Sequence, residues 1–159
     1  MSKKSATIIQ GETETLTVTK TLPNTGVTIA WSSSDTSVAT VSDGVITAKA
    51  AGTAKITASG TYTGSQTGKA ECTVTVTAAS VTLPETESVA AGDTVTLTAT
   101  TVPAGKALTW SSSDENTATV ENGVVTGEAE GTATITASFD AAGTTISDTC
   151  TVTVTSASA

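Results

Sequence analysis

WSSSDTSVATVSDGVITAKAAGTAKITAS at residues 31–59 and WSSSDENTATVENGVVTGEAEGTATITAS at residues 110–138 are two copies of one segment. Nineteen of these 29 positions are identical at a constant offset of 79 residues. The similarity continues upstream, and downstream in the two runs Cys-Thr-Val-Thr-Val that begin at Cys72 and Cys150. A fixed internal period indicates repeated structural units. The chain is therefore predicted to contain two copies of one unit of about 78 residues, which we call repeat 1 and repeat 2.

Within each copy, short runs of alternating apolar and polar residues are separated by turn signals. Such period-two alternation is typical of strands that bury one face. The dipeptides Asp-Gly at 43–44 and Asn-Gly at 122–123 are those favoured by two-residue hairpin turns. About seven such runs in each copy, without a helical period, predict an all-β chain of two tandem antiparallel β-sandwiches, residues 1–78 and 79–159.

Two local differences between the copies carry further predictions. Repeat 2 opens with an additional apolar run at 81–83, whereas repeat 1 has less sequence before its equivalent segment. The first strand of repeat 1 is therefore predicted to be curtailed. Gly127 stands where repeat 1 has Ala48, and we expect it to loosen its strand because glycine weakens strand interiors.

The composition excludes several classes of function. The 159 residues include seven lysines and 15 acidic residues, giving a net charge of −8, with neither arginine nor histidine. Histidine-based hydrolysis, histidine-ligated zinc and conventional nucleic-acid readout all require those missing side chains. Because no nucleophile–base pair or metal cluster can be assembled, we predict no catalytic, cofactor-binding or metal residues and no enzyme activity.

The sequence also bears on compartment. Residues 1–10 lack the apolar stretch of a secretion signal, and no apolar run approaches the roughly 20 residues needed to cross a bilayer. We therefore expect no membrane insertion. The start at Met1 suggests a complete reading frame, although a trimmed chain beginning at an introduced methionine would look the same.

Trp31 and Trp110 precede the same Ser-Ser-Ser-Asp turn in the two copies. They could stack on sugars, but their equivalent positions favour packing in the core or at its rim. Asp35 and Asp114, which end that motif, are expected to cap the turn by accepting backbone N–H bonds.

Instead of capping turns, carboxylates of repeat 2 could bind a calcium ion. Asp93, Asp114, Glu115 and Glu121 are the residues that could gather there. Calcium takes six to eight oxygen ligands. No contiguous loop offers that many carboxylates, so we expect no bound calcium.

The two cysteines are predicted to be free and buried. Counting by twos places Cys72 on the face of Val74 and Val76, and Cys150 occupies the equivalent place in repeat 2. Equivalent positions of different domains lie too far apart for the Cα separation that a disulfide requires. The thiols should therefore act as small apolar side chains.

Tyr62 and Phe139 are the remaining aromatic residues, and both fall between the Ile-Thr-Ala run and the last run of their copy. The copies differ most in these segments. An aromatic residue on a variable loop is a candidate contact residue, and it serves equally well to cover one end of a sandwich. Both interpretations stay open.

These motifs together resemble the bacterial Ig-like domain, group 2. The resemblance rests on Gly-Glu/Asp-Thr, Trp-Ser-Ser-Ser-Asp, Ala-Thr-Val, Gly-Val-Ile/Val-Thr, Gly-Thr-Ala-x-Ile-Thr-Ala and the closing Cys-Thr-Val-Thr-Val, present in both copies. It implies immunoglobulin-like sandwiches. It also implies a role in display, spacing or binding, as in phage tail and capsid proteins and in adhesins of the intimin and invasin type, where catalysis lies on other domains.

The charge is distributed unevenly. Repeat 1 holds six lysines and five carboxylates, a net charge of +1, whereas repeat 2 holds one lysine and ten carboxylates, a net charge of −9. A near-neutral unit preceded by Lys3 and Lys4 approaches a larger assembly at less electrostatic cost. A strongly acidic unit stays solvated. We therefore predict attachment through repeat 1 and these two lysines, with repeat 2 projecting outward; surface drift is the alternative.

Taken with the resemblance, these features predict an accessory bacteriophage virion protein that decorates the capsid or tail. Such proteins are made in the host cytoplasm without a signal peptide and still reach the virion surface. The expected partner is a phage capsid or tail protein, with weak contact to host-surface glycans as a further possibility. The alternative is a fragment of a bacterial cell-surface adhesin or stalk.

Overall fold

The computed structural model describes residues 1–19, 27–61 and 68–157. All regular structure in these residues is β-strand. Contacts divide the chain into two compact units, one built mainly from Met1–Ala78 and the other from Ala79–Asp140 and Thr144–Ala159. The sandwich architecture predicted from the period-two runs is therefore confirmed.

The described residues of the first unit form a sandwich of seven strands. One sheet has the order β1-β7-β6-β3 and the other has the order β2-β5-β4. The strands are β1 Ser5–Ile9, β2 Thr13–Thr15, β3 Thr28–Ser33, β4 Ala39–Ser42, β5 Val45–Ala48, β6 Gly52–Thr61 and β7 Lys69–Thr77.

The second unit repeats this arrangement and also contains the short strands β8 and β11; most of the segment of repeat 1 that corresponds to β11 lies outside the described residues. Its four-stranded sheet has the order β12-β15-β16-β9, its three-stranded sheet has the order β10-β14-β13, and β11 pairs with β8. The strands are β8 Ser80–Thr82, β9 Thr86–Ala90, β10 Thr94–Thr96, β11 Thr100–Val102, β12 Thr109–Ser112, β13 Ala118–Glu121, β14 Val124–Gly127, β15 Gly131–Ala141 and β16 Thr144–Thr155. The additional strand predicted at 81–83 is present as β8.

One pairing in each unit departs from the antiparallel prediction. β1 runs parallel to β7, with Ala6 opposite Val74, and β9 runs parallel to β16 in the same way. The first long strand of each unit lies beside the last, and both run in the same direction. β1 and β9 have five residues each, so β1 itself is not shortened. Repeat 1 instead lacks a described counterpart of β8.

The core of each unit is formed by every second residue of its strands. On β7, Cys72, Val74 and Val76 are buried while the threonines between them are exposed. The first core consists of Ile8, Leu16, Val38, Ala39, Ile46, Ala48, Ala54, Ile56, Cys72, Val74 and Val76, with Trp31 packed against it. Threonine suits the outward positions because its branched side chain fits an extended backbone.

Two-residue hairpin turns connect β4 to β5 and β13 to β14, as the dipeptides predict. Asp43 and Gly44 have φ values of 48° and 85°, and Asn122 and Gly123 have values of 49° and 83°. Positive φ at both central residues defines the turn that matches the natural twist of a hairpin.

Each turn glycine also contacts the tryptophan of the opposite sheet. A Cβ atom on Gly44 would lie 3.1 Å from Cζ2 of Trp31 and would collide with the carbonyl oxygen of Leu16. The backbone N–H of Leu16 donates to the Gly44 carbonyl at 2.8 Å. Repeat 2 has the same contact between Gly123 and Trp110. The half-buried tryptophans are therefore packing residues that join the two sheets.

Gly127 does not loosen its strand, contrary to expectation. A Cβ atom there would lie 2.8 Å from the carbonyl oxygen of Ala90 and 3.0 Å from a methyl group of Val154. Neighbouring atoms therefore already occupy the space that Ala48 fills in repeat 1, and the glycine allows close packing.

Replacing Gly44 by alanine is predicted to destabilise the first unit by about 1–3 kcal/mol, because the side chain would meet both an unfavourable φ and occupied space. Chemical denaturation of the full chain measures the loss. Gly68→Ala is the control, since a Cβ at Gly68 would have nothing within 4 Å. Equal stability of the two variants would contradict the positive φ and close packing described at Gly44.

Candidate functional site

The Trp-Ser-Ser-Ser-Asp motif is a structural turn in both units. Asp35 Oδ1 accepts the backbone N–H of Ser37 at 2.9 Å and also its hydroxyl proton. Asp114 accepts the hydroxyl proton of Thr117 at 2.8 Å and the backbone N–H of Asn116 at 3.0 Å. Turn capping is thus confirmed for both carboxylates.

These hydrogen bonds stabilise the charged form of each carboxylate. The Ser37 hydroxyl is the main cause that lowers the pKa of Asp35, and the Thr117 hydroxyl does the same for the pKa of Asp114. The Asp114 carboxylate is therefore engaged in its turn. Among the described residues, no cluster of three or more histidine, cysteine or acidic side chains could hold a metal ion.

The third serine of the motif ties the edge strand to its neighbour. Ser34 Oγ accepts the backbone N–H of Lys55 at 2.8 Å, and the Ser34 N–H donates to the Lys55 carbonyl at 3.0 Å. In repeat 2, Ser113 makes the same two bonds with Thr134, at 2.8 and 2.9 Å. The identical serines are therefore explained by the fold and provide no nucleophile.

Both cysteines are free and buried, as predicted. Cys72 and Cys150 have no exposed surface, and burial raises the pKa of each thiol. A raised pKa disfavours the thiolate, which is the reactive form. The thiols therefore act as core packing groups.

Of the two lysines predicted to make the attachment, Lys3 forms an ion pair and Lys4 is exposed. The Lys3 ammonium lies 2.6 Å from Glu14 Oε1 in an ion pair within the first unit. Repeat 2 has Pro84 and Val95 at the equivalent positions. Lys3 thus has a role inside its own domain. Lys4 is exposed at the start of β1.

The structure describes only one of the two aromatic residues that were candidates for surface contact. Tyr62 lies outside the described residues. Phe139 lies on β15, not on a loop, and only 7% of its surface is exposed. Its side chain shares the inward face with Ile135 and Ala137. Phe139 is therefore buried and is not available as a surface contact.

Repeat 1 fills the corresponding space from a different strand. Gly60 is the counterpart of Phe139 at the offset of 79. A Cβ on Gly60 would lie 3.3 Å from a methyl group of Val27 and 3.4 Å from the terminal methyl of Ile29. Aliphatic side chains thus lie close to Gly60, at the place where repeat 2 carries a phenyl ring.

An open hollow of about 690 Å³ lies beside β13 and β14. It is lined by Thr119, Val120, Glu121, Asn122, Val124 and Thr126. Thr119 donates its hydroxyl proton to Glu128 at 3.0 Å. Among these lining residues there is no nucleophile–base pair and no aromatic side chain on which a ligand could stack. The hollow therefore offers no chemistry for a catalytic site.

Asp148 links the first and last strands of the second unit. It lies on the inward face of β16, two residues before Cys150, and its Oδ2 accepts the Leu83 N–H at 2.8 Å. This bond is the main cause that lowers the pKa of Asp148. Leu83 directly follows β8, before the chain enters β9 of the four-stranded sheet. Counting by twos from Cys150 would have found this inward carboxylate.

A charged group distinguishes the outer face of the four-stranded sheet in repeat 1. The Lys69 ammonium lies 2.7 Å from Glu71 Oε1, and the Lys55 ammonium lies 3.5 Å from Oε2 of the same carboxylate. The hydrogen bond from Lys69 is the main cause that lowers the pKa of Glu71. We call these three residues the lysine–glutamate cluster. At the equivalent positions repeat 2 has Thr134, Ser147 and Thr149.

These findings define a pair of β-sandwiches in which the motif residues serve turns and packing. The model of the bacterial Ig-like domain (group 2) matches residues 1–74 and 76–152, so the chain belongs to that family. Within the described part of the chain there is no helix long and apolar enough to span a membrane.

A protein from Serratia phage KSP90, named Ig-like virion protein, is 40% identical over 118 residues, which cover 68% of this chain and 46% of that protein. The chain thus matches less than half of the relative's length. Among solved structures, Drosophila N-cadherin EC1-4 aligns over 99% of this chain and 48% of its own length, with 11% identity and a TM-score of 0.43. The tandem Ig repeats of Dlar align over 98% and 96%, with 12% identity and a TM-score of 0.36.

Asp148→Ala is predicted to lower the free energy of unfolding of the second unit by about 1–3 kcal/mol, because the buried Leu83 N–H loses a charged acceptor. The pKa of Asp148 is lowered on folding. Its contribution is therefore present above the ordinary aspartate pKa of about 3.9 and is lost as the pH falls through the folded value.

Urea denaturation at pH 7 and at pH 3 measures both effects. The difference between the variant and the unaltered chain should shrink at pH 3. Glu130→Ala, which removes an exposed carboxylate from the same unit, is the control and should leave stability nearly unchanged. A variant as stable as this control at pH 7 would refute the link between Asp148 and Leu83.

Proposed function

We propose that this chain is a non-enzymatic structural protein of a bacteriophage virion, which displays its Ig-like domains on the capsid or tail. The observation that carries the proposal is the 40% identity to a protein named as a virion protein. The fold supports it, because the motif residues shared by the two units serve turns, sheet contacts and cores. A protein built in this way acts through its surface.

The proposed partner is a capsid or tail protein, bound through repeat 1. The difference in net charge supports this orientation of the chain, since repeat 1 carries +1 and repeat 2 carries −9. Strong negative charge keeps repeat 2 solvated and repels neighbouring acidic modules. Of the two N-terminal lysines, Lys4 is the better candidate for attachment, because the Lys3 ammonium already pairs with Glu14.

Lysine acetylation tests this function and the orientation of the chain together. The full chain is expected to co-sediment with purified phage particles that lack it, and its lysines in repeat 1 should react more slowly when bound. Lys106, the single lysine of repeat 2, is the internal control and should react equally in both states. Mass spectrometry of the digested protein gives the ratios.

Two outcomes would contradict the proposal in different ways. A chain that stays in the supernatant would refute the virion assignment. Slower reaction of Lys106, with unchanged reaction of the lysines in repeat 1, would instead reverse the orientation.

A further inference from the structure

The outer face of the sheet β1-β7-β6-β3 differs in chemistry from the corresponding face of repeat 2. We propose that this face, centred on the lysine–glutamate cluster, is the attachment surface, and that it binds carboxylates of a protein on the particle. The inference rests on the proposed function, because it names the surface and the partner chemistry of that attachment.

The geometry leaves the two ammonium groups able to bind a second acid. Glu71 holds Lys55 and Lys69 on one sheet face, at 3.5 and 2.7 Å from its two oxygens. The lysine side chains are 55% and 62% exposed. An ammonium has three N–H donors, and one carboxylate between two of them leaves donors directed to solvent. The cluster therefore carries a net charge of +1 that is held in place.

The surroundings of the cluster are uncharged and open. The strand register places Thr57 opposite Glu71, Thr73 opposite Lys55, and Ser59 opposite Lys69. Ser32 lies opposite Thr57 on the next strand. These hydroxyl side chains are uncharged, and they are shorter than the lysine side chains beside them. A partner can therefore approach the cluster along this face of the sheet.

Comparison of the two repeats indicates that the fold does not require this cluster. Thr134, Ser147 and Thr149 occupy the same three places in repeat 2, on strands of the same order. A sheet of this kind therefore forms with hydroxyl residues alone. The charges in repeat 1 are then surplus to folding, which favours a role in binding.

The net charge of the chain selects the class of partner. A long polyanion such as nucleic acid would be repelled by a molecule of net charge −8. A localised carboxylate on a protein surface gains from both lysines while avoiding most of that repulsion. Exposed charge pairs of this kind weaken as salt rises, so attachment should depend on ionic strength.

The test exchanges the cluster for the residues of repeat 2. The variant Lys55→Thr, Lys69→Ser, Glu71→Thr is made in the full chain, and Lys49→Thr is the control because it changes the net charge by the same −1. Each protein is co-sedimented with particles that lack the chain, over a series of NaCl concentrations. Thermal unfolding checks that each variant is folded.

The expected result is an affinity reduced about tenfold or more for the triple variant, and reduced less than about twofold for Lys49→Thr. Binding of the unaltered chain should weaken with NaCl, and it should be lost when the particle carboxylates are amidated beforehand with carbodiimide and methylamine.

The contradictory results separate the two proposals. Equal binding by the triple variant and the unaltered chain would overturn the attachment surface and leave the virion assignment standing. Binding that survives amidation of the particle would overturn the carboxylate partner. Failure of the unaltered chain to bind would overturn the proposed function and this inference with it.

Discussion

The contact between a strand tryptophan and a turn glycine holds the two sheets of each unit together. Trp31 belongs to the four-stranded sheet, and Gly44 belongs to the hairpin of the opposite sheet. A Cβ atom at Gly44 would lie 3.1 Å from the ring and would collide with the Leu16 carbonyl oxygen, while the positive φ forms the tight turn. Repeat 2 reproduces the contact with Trp110 and Gly123. Aromatic residues make up only 3% of the chain, and the buried residues against which Trp31 packs are aliphatic side chains and Cys72.

Most inward positions of the strands are the same in the two repeats, and the outward positions differ more. Repeats 1 and 2 keep a cysteine, valine and alanine core in matching positions, including Cys72 and Cys150. On the outer sheet face, repeat 1 has the lysine–glutamate cluster where repeat 2 has hydroxyls. Outside the shared core, charge is a large difference between the two units, with +1 on repeat 1 and −9 on repeat 2.

Much of the fold could be predicted because period, turn chemistry and burial are local properties. The turns at Gly44 and Gly123 follow from dipeptides, and the buried thiols follow from counting by twos. Phe139 could also have been placed correctly, since the same count from Ile135 puts it inside. Two features could not be predicted from the sequence: the parallel pairing of β1 with β7, and the ion pair between Lys3 and Glu14. Both depend on which distant strands become neighbours.

We propose that the shared core specifies the fold and that the outward side chains specify attachment. Moving the cluster tests this most directly: Thr134→Lys, Ser147→Lys and Thr149→Glu are combined with the three hydroxyl substitutions in repeat 1. Zero-length cross-linking to the particle then locates the contact. The account predicts an unchanged unfolding transition and cross-links that move to residues 134 and 147. A destabilised chain, or cross-links that remain in repeat 1, would contradict it.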